Sequence, residues 1–123
     1  MLHDHVDLRV ADLAKSRPLY DAVLPALGYT RVTGDATGAY YHHPGRDADF
    51  FGITEDRSHR ANGTRIAFAA IDRAQVDSLA ELARDAGAAA FEPPHLCTEY
   101  NDDYYAAFFE DASGNKLEIC FRG

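Results

Sequence analysis

The chain carries one pattern twice, and this repeat constrains its fold more than any other feature of the sequence. The segments HVDLRVADL and RIAFAAIDR begin at His5 and Arg65, 60 positions apart. At that offset Val6 corresponds to Ile66, and an aspartate follows each apolar run. Because one copy alone cannot bury its apolar face, we expect the two units to share one core, with a site where they meet.

Size and charge narrow the range of partners. At 123 residues, of which 46% are hydrophobic, the chain is predicted to form one packed domain. Twelve basic against 20 acidic side chains give a formal net charge of −8. An acidic surface repels phosphate backbones and anionic lipids, so we expect no nucleic-acid partner and no membrane partner. No apolar run approaches the ~20 residues that span a bilayer.

The N-terminal segment and the cysteine content predict a cytoplasmic protein. The opening MLHDHVDLRV enters a strand pattern at once, without the basic and then apolar stretches of a secretory signal. The two cysteines, Cys97 and Cys120, are predicted to be reduced thiols rather than a disulfide.

The first repeat predicts a strand, a helix and three further strands. Residues 5–10 alternate between polar and apolar, which is typical of a strand with one face on a core. The next segment predicts a helix that is capped by Ser16 and ends at Gly28. Turn-rich segments then separate three short strands, near residues 29–33, 39–43 and 49–54.

The second repeat predicts the same order of elements. A strand over residues 64–70 precedes Asp72 and Gln75, which resemble a capping box, and a helix that ends at Gly87. A short strand near residues 89–92 leads into the loop PPHLCTEYNDD. The last two strands, YYAAFFE and KLEICF, are joined by the turn sequence DASGN.

With these elements in place, the sequence resembles the vicinal oxygen chelate superfamily, which includes glyoxalase I, extradiol dioxygenases and bleomycin-resistance proteins. The resemblance rests on HVDLRVADLAKSRPLYDAVLPALGY, TRIAFAAIDRAQVDSLAELARDAG and YYAAFFEDASGNKLEICF, and so covers nearly the whole chain. It implies an α+β fold in one domain, residues 1–123, made of two βαβββ modules over residues 1–56 and 64–123. Their strands would form a cupped, half-barrel mixed sheet with the helices on the outside.

The resemblance also implies where a metal would bind. In metal-dependent members, the first and last strands of each module supply four ligands that face the cup. His5 and Glu118 match two of these positions, whereas Arg65 and Phe51 occupy the other two. A guanidinium has donors only and cannot coordinate a cation. The resemblance therefore implies a divalent ion (Zn, Ni, Mn or Fe) at His5 and Glu118, but only two ligands are present where a catalytic site usually has three.

We hypothesise instead that Arg65 takes the place of the metal's charge. Glu118 alternates with the apolar Leu117 and Ile119, so it projects from the opposite face of its strand. If Arg65 and Glu118 both point into the cup, they are predicted to form a charge-assisted pair that binds a carboxylate or enolate oxygen. The alternative, a purely structural ion pair, stays open at this point.

Further residues are candidates for contact with a ligand. His5 is either a catalytic base or a hydrogen-bonded structural histidine. Tyr105, rather than Tyr104, is predicted to line the cup, although packing alone is the alternative. Glu99 and Asn101 lie in a loop that precedes the strand across the predicted site, where a solvated acidic loop is the alternative.

Five further residues were considered. Arg9 shares the polar strand face with His5, and Phe51 lies at a ligand position of the first module. Cys120 shares the face of Glu118 and is interpreted as a small buried filler. The adjacent histidines at positions 42 and 43 are assigned no role.

Two functions follow from the resemblance. The first is an enzyme, of a lyase, isomerase or dioxygenase-like type with an incomplete metal site, in which His5 or Glu118 moves a proton and Arg65 stabilises an oxyanion of a small oxygenated metabolite. The second is a binding protein that sequesters a drug or metabolite without chemistry, as antibiotic-resistance members do. In either case the resemblance implies a homodimer.

Overall fold

The computed structural model describes residues 4–123, apart from the side chains of residues 46–48. The first module consists of β1 (His5–Val10), α1 (Leu13–Ala26), β2 (Arg31–Gly34), β3 (Gly38–His43) and β4 (Arg46–Glu55). The second consists of β5 (Arg65–Ala69), α2 (Arg73–Asp85), β6 (Ala89–Leu96), β7 (Tyr105–Glu110) and β8 (Lys116–Phe121). The repeated order predicted from the sequence is confirmed.

Each module forms its own four-stranded mixed sheet. Sheet A has the strand order β1-β4-β3-β2, and sheet B has the corresponding order β5-β8-β7-β6. The first strand of each module runs parallel to the last, and the remaining pairs are antiparallel. Helix α1 contacts β3 and β4, while α2 contacts β6, β7 and β8. This is the predicted α+β architecture of two βαβββ modules, with β1 and β5 each at one edge of a sheet.

One hydrophobic core joins both modules. The two helices contact each other, and each packs its apolar side on one face of a sheet. Strand alternation places Tyr41, Phe51, Phe109 and Ile119 in this core. A second, smaller cluster lies on the opposite face of sheet B, which we call its outer face, and consists of Cys97, Tyr104, Ala106, Phe108 and Cys120.

The two helix starts show where the sequence was interpreted correctly and where it was not. Helix α1 is capped by Asp12, whose carboxylate accepts a hydrogen bond from the Lys15 N–H at 3.0 Å. Ser16 lies one turn further in and donates to the carbonyl of Asp12, so its assignment as the cap was wrong. In α2 the predicted pair is present, because the Gln75 N–H donates to Asp72 at 2.7 Å.

The predicted strand near residues 89–92 is longer than expected. Strand β6 continues through Pro93 and Pro94 to Leu96. Proline lacks the N–H that a ladder needs, but β6 is an edge strand and its register with β7 is irregular. At such a position the missing donor costs little, which is why the two prolines do not end the strand.

The turn DASGN does more than join β7 to β8. Asp111 is 2% exposed and accepts a hydrogen bond from the Tyr20 hydroxyl of α1 at 2.6 Å. The Asn115 amide donates to the carbonyl of Arg9, and the Ser113 hydroxyl accepts from the Ala11 N–H. These bonds tie the second module to β1 and α1 of the first. In the described residues no helix is long and apolar enough to cross a membrane.

Candidate ligand site at the junction of the modules

A cavity of about 330 Å³ lies where the two modules meet. Strand β1, the end of α1 and strand β4 form one wall, and β5 forms the other. Its apolar lining includes Val6, Leu24, Leu27, Phe51, Ile66 and Phe68. The volume is at the lower end of the range for small-ligand pockets. The repeat predicts a site at this junction, and the cavity lies there.

Charged groups at the cavity come from both modules. Asp49 of β4 accepts a hydrogen bond from the Tyr29 hydroxyl at 3.3 Å. Arg65 begins β5, is exposed to solvent and lines the same cavity. Its guanidinium carbon lies 4.9 Å from the ring centroid of Phe108, which is cation–π distance. Phe108 belongs to the outer-face cluster, so the charged end of Arg65 lies on the opposite face of sheet B from Ile66 and Phe68. Across the described residues Arg65 forms no ion pair.

The predicted pair between Arg65 and Glu118 is not formed. The register of β5 and β8 places Lys116 opposite Arg65, and Glu118 opposite Ala67. Arg65 reaches the ring of Phe108 on β7, and Phe108 is itself the register partner of Glu118. The guanidinium and the carboxylate therefore lie beside the same aromatic ring without touching each other.

Glu118 has a different partner. Its carboxylate, in a side chain only 5% exposed, accepts a hydrogen bond from the hydroxyl of Tyr104. Burial raises the pKa of the Tyr104 phenol, and hydrogen bonds with Cys120 and Glu118 raise it further. The ring of Tyr104 is covered by Tyr100 and by the guanidinium of Arg122. A buried carboxylate is thus held by a neutral donor on the outer face of sheet B.

Tyr105 lies on the face of β7 that packs against α2, not on the face of Glu118. Its hydroxyl donates to Asp77 of α2 at 2.6 Å, and its ring lies beneath Arg73. The alternation with Phe109 was interpreted correctly, but that face of β7 is covered by α2. Tyr104 precedes β7 and packs with the outer-face cluster. Phe108 of β7 lies directly opposite Glu118 of β8 in the antiparallel register, so the two side chains project from the same face of the sheet. This register therefore identifies the face on which Glu118 lies.

His5 belongs to an aromatic cluster on sheet A. Its imidazole stacks on Phe50 with ring centroids 4.6 Å apart, and its Nδ1 lies 2.8 Å from Asp4. Tyr40 and His42 also contact the Phe50 ring. Phe50 lines the junction cavity, so His5 lies at its rim. No sequence pattern indicates that His42 shares this face, because only the pairing of β3 with β4 brings it to Phe50.

Other predicted contact residues lie away from the cavity. Arg9 is exposed, with its nearest carboxylate, Asp7, at 3.8 Å. Glu99 is exposed in the loop, and the side chain of Asn101 accepts a hydrogen bond from the Asp103 N–H as part of a turn. Phe51 does line the cavity, as an apolar wall residue that also contacts the rings of Tyr20 and Phe68.

The donor set does not fit a divalent ion. In residues 4–123, outside the side chains at 46–48, no three His, Cys, Asp or Glu side chains cluster as metal ligands. Glu118 accepts a hydrogen bond from Tyr104, and His5 is hydrogen-bonded to Asp4. The other two positions at which metal-dependent members carry ligands are occupied by Arg65 and Phe51. Both cysteines are free and buried.

Comparison with known proteins identifies the family. A model of the Glyoxalase/Bleomycin resistance protein/Dioxygenase superfamily matches residues 3–119. The chain belongs to this superfamily. A glyoxalase/bleomycin resistance protein from Albidiferax ferrireducens is 30% identical, with complete coverage of both chains and a TM-score of 0.81. Members of this superfamily often bind divalent metal ions, but the described residues of this chain contain no group of metal ligands.

Two fosfomycin resistance proteins share the fold at lower identity. FosX from Mesorhizobium loti is 19% identical, with 97% of this chain and 90% of the other covered and a TM-score of 0.68. FosX from Listeria monocytogenes is 16% identical, with 98% and 93% covered and a TM-score of 0.70. None of the curated proteins searched has significant sequence similarity to this chain.

Proposed function

We propose that this superfamily member is an enzyme that acts on a small oxygenated metabolite, with Arg65 binding the anionic oxygen. The observation that carries the proposal is the exposed guanidinium of Arg65, which has no ion pair within the described residues and lies over Phe108, on the face of sheet B that also carries the buried Glu118. A fixed positive charge beside a developing oxyanion is usually the largest single contribution to catalysis. In metal-dependent members the cation supplies that charge.

Proton transfer is assigned to Glu118, with Tyr104 as the residue that positions it. Arg65 and Glu118 flank the same ring, that of Phe108, so a ligand oxygen bound by the guanidinium lies near the carboxylate. A buried carboxylate held by one neutral donor keeps lone pairs free to accept a proton. His5, at the rim of the cavity through Phe50, is the second candidate for this role.

The first experiment is a ligand screen followed by two substitutions. Carboxylates, thiol conjugates, phenols, cationic antibiotics and fosfomycin are tested for a rise in melting temperature, because a ligand that binds the native state stabilises it. Fosfomycin is included because of the two structurally similar FosX proteins. Hits are then assayed for turnover.

The substitutions separate binding from chemistry. We expect Glu118→Gln to retain ligand affinity and lose turnover, and Arg65→Ala to lose both. Arg60→Ala is the matched control, since Arg60 is an exposed arginine that does not line the cavity. Full turnover in Glu118→Gln would overturn the assignment of Glu118, and unchanged affinity in Arg65→Ala would overturn that of Arg65.

A non-catalytic binding protein is the second candidate function. The aromatic cluster of His5, Tyr40, His42 and Phe50 on sheet A favours it, because flat rings bind planar ligands. The net charge of −8 also raises the local concentration of cationic compounds. Loss of affinity for a cationic drug in Phe50→Ala, with no turnover in either protein, would support this function.

We also propose a homodimer in the cytoplasm. Strands β1 and β5 are sheet edges, and exposed edges are common sites of association between chains. The two free cysteines fit a reducing compartment. Light scattering of the purified protein tests the dimer, and cell fractionation tests the location.

A further inference from the structure

Building on the proposed role of Arg65, we infer that the ligand carries two anionic groups, one bound by Arg65 and the other by Arg122, with an uncharged middle over Glu118. Both guanidiniums lie on the outer face of sheet B. That of Arg65 lies over the ring of Phe108 and that of Arg122 over the ring of Tyr104, each with its central carbon 4.9 Å from the ring centroid. Both rings belong to the outer-face cluster. One face of one sheet therefore holds two fixed cationic groups.

Strand register places Glu118 between the two arginines. Arg65 is the partner of Lys116, which lies two residues before Glu118 on β8. Arg122 follows Glu118 by four residues, about 13 Å of extended chain, and so marks the other end of this face. The carboxylate of Glu118 accepts its hydrogen bond from Tyr104. A carboxylate between two guanidiniums favours a ligand that has its charges at its ends.

Short side chains cover the sheet beside Glu118. Ala67 and Ala69 of β5 alternate with apolar core residues, so they project from the same face as Arg65, and both are exposed. Their register partners on β8 are Glu118 and Cys120. An extended ligand can therefore lie over this part of the face and reach the arginine at either end.

The positive charges of Arg65 and Arg122 are not neutralised by the protein. In the part of the chain that the structure describes, neither guanidinium forms an ion pair, and both side chains are exposed. A guanidinium that stacks on an aromatic ring keeps its N–H donors, which lie in its own plane. Each arginine can therefore form a forked pair with one carboxylate while its ring holds it in place.

Linear dicarboxylates from succinate to sebacate are the probes, because they report binding without requiring a reaction. Isothermal titration calorimetry compares each diacid with its monomethyl ester, which keeps the length and removes one charge. We expect affinity to pass through a maximum at one chain length, because the two cations are held at a fixed separation. The diacid of that length is expected to bind at least about tenfold more tightly than its monoester, since the ester loses a charged hydrogen-bonded contact.

Variants at the two ends separate binding from packing. Arg122→Gln and Arg65→Gln are each expected to remove the preference for diacid over monoester, and Arg122→Lys is expected to keep part of it, because a lysine retains the charge without the fork. Arg60→Gln is the charge-matched control, since Arg60 is an exposed arginine in the connector between β4 and β5. Urea denaturation of each variant is measured in parallel. If Arg122 only covers Tyr104, then Arg122→Gln would lower stability and leave the preference for the diacid unchanged.

Three results would overturn the inference. They are equal binding of diacid and monoester, a preference for the diacid that does not depend on its length, and a preference that survives in Arg122→Gln. If the monoester still loses affinity in Arg65→Gln, the proposed role of Arg65 stands without a second anionic group. If the diacid is preferred but no ligand is turned over, the inference stands and the catalytic part of the proposed function fails.

Discussion

Tyr104 donates a hydrogen bond to Glu118 on the outer face of sheet B, and both side chains are buried. A carboxylate taken out of water is costly unless a donor compensates it. The phenol provides that donor without cancelling the negative charge, which a guanidinium would do. Glu118 is thereby kept beside Phe108, the ring that the Arg65 guanidinium contacts.

Removing the phenol hydroxyl is predicted to destabilise the protein. Tyr104→Phe leaves the buried carboxylate without its donor, so we expect a loss of about 1–3 kcal/mol in the free energy of unfolding. Tyr100→Phe is the control, because that side chain is 57% exposed in the same cluster. Urea denaturation of both variants, of Glu118→Gln and of the double variant gives the coupling energy. Additive effects at Tyr104 and Glu118 would contradict a direct interaction.

The two tyrosines also show how far the sequence could be interpreted. The order of strands and helices along the chain follows from the repeat and from apolar periodicity, whereas the parallel pairing of the first and last strands of each module comes from the structure alone. Alternation correctly separated Tyr104 from Tyr105, but it could not say which face of β7 is covered by α2. The two faces can be told apart only once the helix is placed, and the helix covers the face of Tyr105.

Contacts that depend on register could not be predicted either. The expected pair of Arg65 with Glu118 required the two residues to lie opposite each other, and the actual register offsets them. The cluster of His5 and His42 around Phe50 depends on two strand pairings at once. At these positions the sequence shows the residue type and which residues share a strand face. It does not show which residue of a neighbouring strand lies beside each of them.

Asp111 is predicted to be essential for the joining of the modules. Its carboxylate accepts from Tyr20, from the amide of Asn115 and from two backbone N–H groups of its own turn. Asp111→Ala leaves these buried donors unpaired, so we expect a loss of about 3 kcal/mol or more in the free energy of unfolding. Asp102→Ala, at an exposed loop position, is the matched control. Equal stability of the two variants would show that the network does not hold the modules together.

Removal of divalent ions is expected to leave the protein unchanged. Two of the four positions at which metal-dependent members carry ligands are occupied by Arg65 and Phe51. The positive charge of a guanidinium repels a metal cation. Dialysis against EDTA should therefore not lower the melting temperature, and added Zn²⁺, Ni²⁺ or Mn²⁺ should not raise it. Elemental analysis provides an independent measurement. A stoichiometric ion that is lost in His5→Ala and in Glu118→Gln would refute the role given to Arg65.

Alkaline pH is predicted to lower the free energy of unfolding by more than the net charge of the chain alone would. Burial raises the pKa of Tyr20 and of Tyr41, with further contributions from Asp111 and Asp21 respectively, and the pKa of Tyr104 is raised as described above. An unfolded tyrosine ionises near pH 10. Above that pH the unfolded state releases protons that the folded state retains, so stability falls as the pH rises.

The size of this effect gives a direct measurement. Each such tyrosine contributes up to about 1.4 kcal/mol per pH unit above about pH 10. Urea denaturation between about pH 8 and pH 11 should show this slope, and Tyr41→Phe should reduce it by the share of one residue. Near-ultraviolet absorbance should show that part of the tyrosine signal titrates only on unfolding. A stability that stays level through this range would mean that these phenols ionise as readily in the folded chain as in the unfolded one.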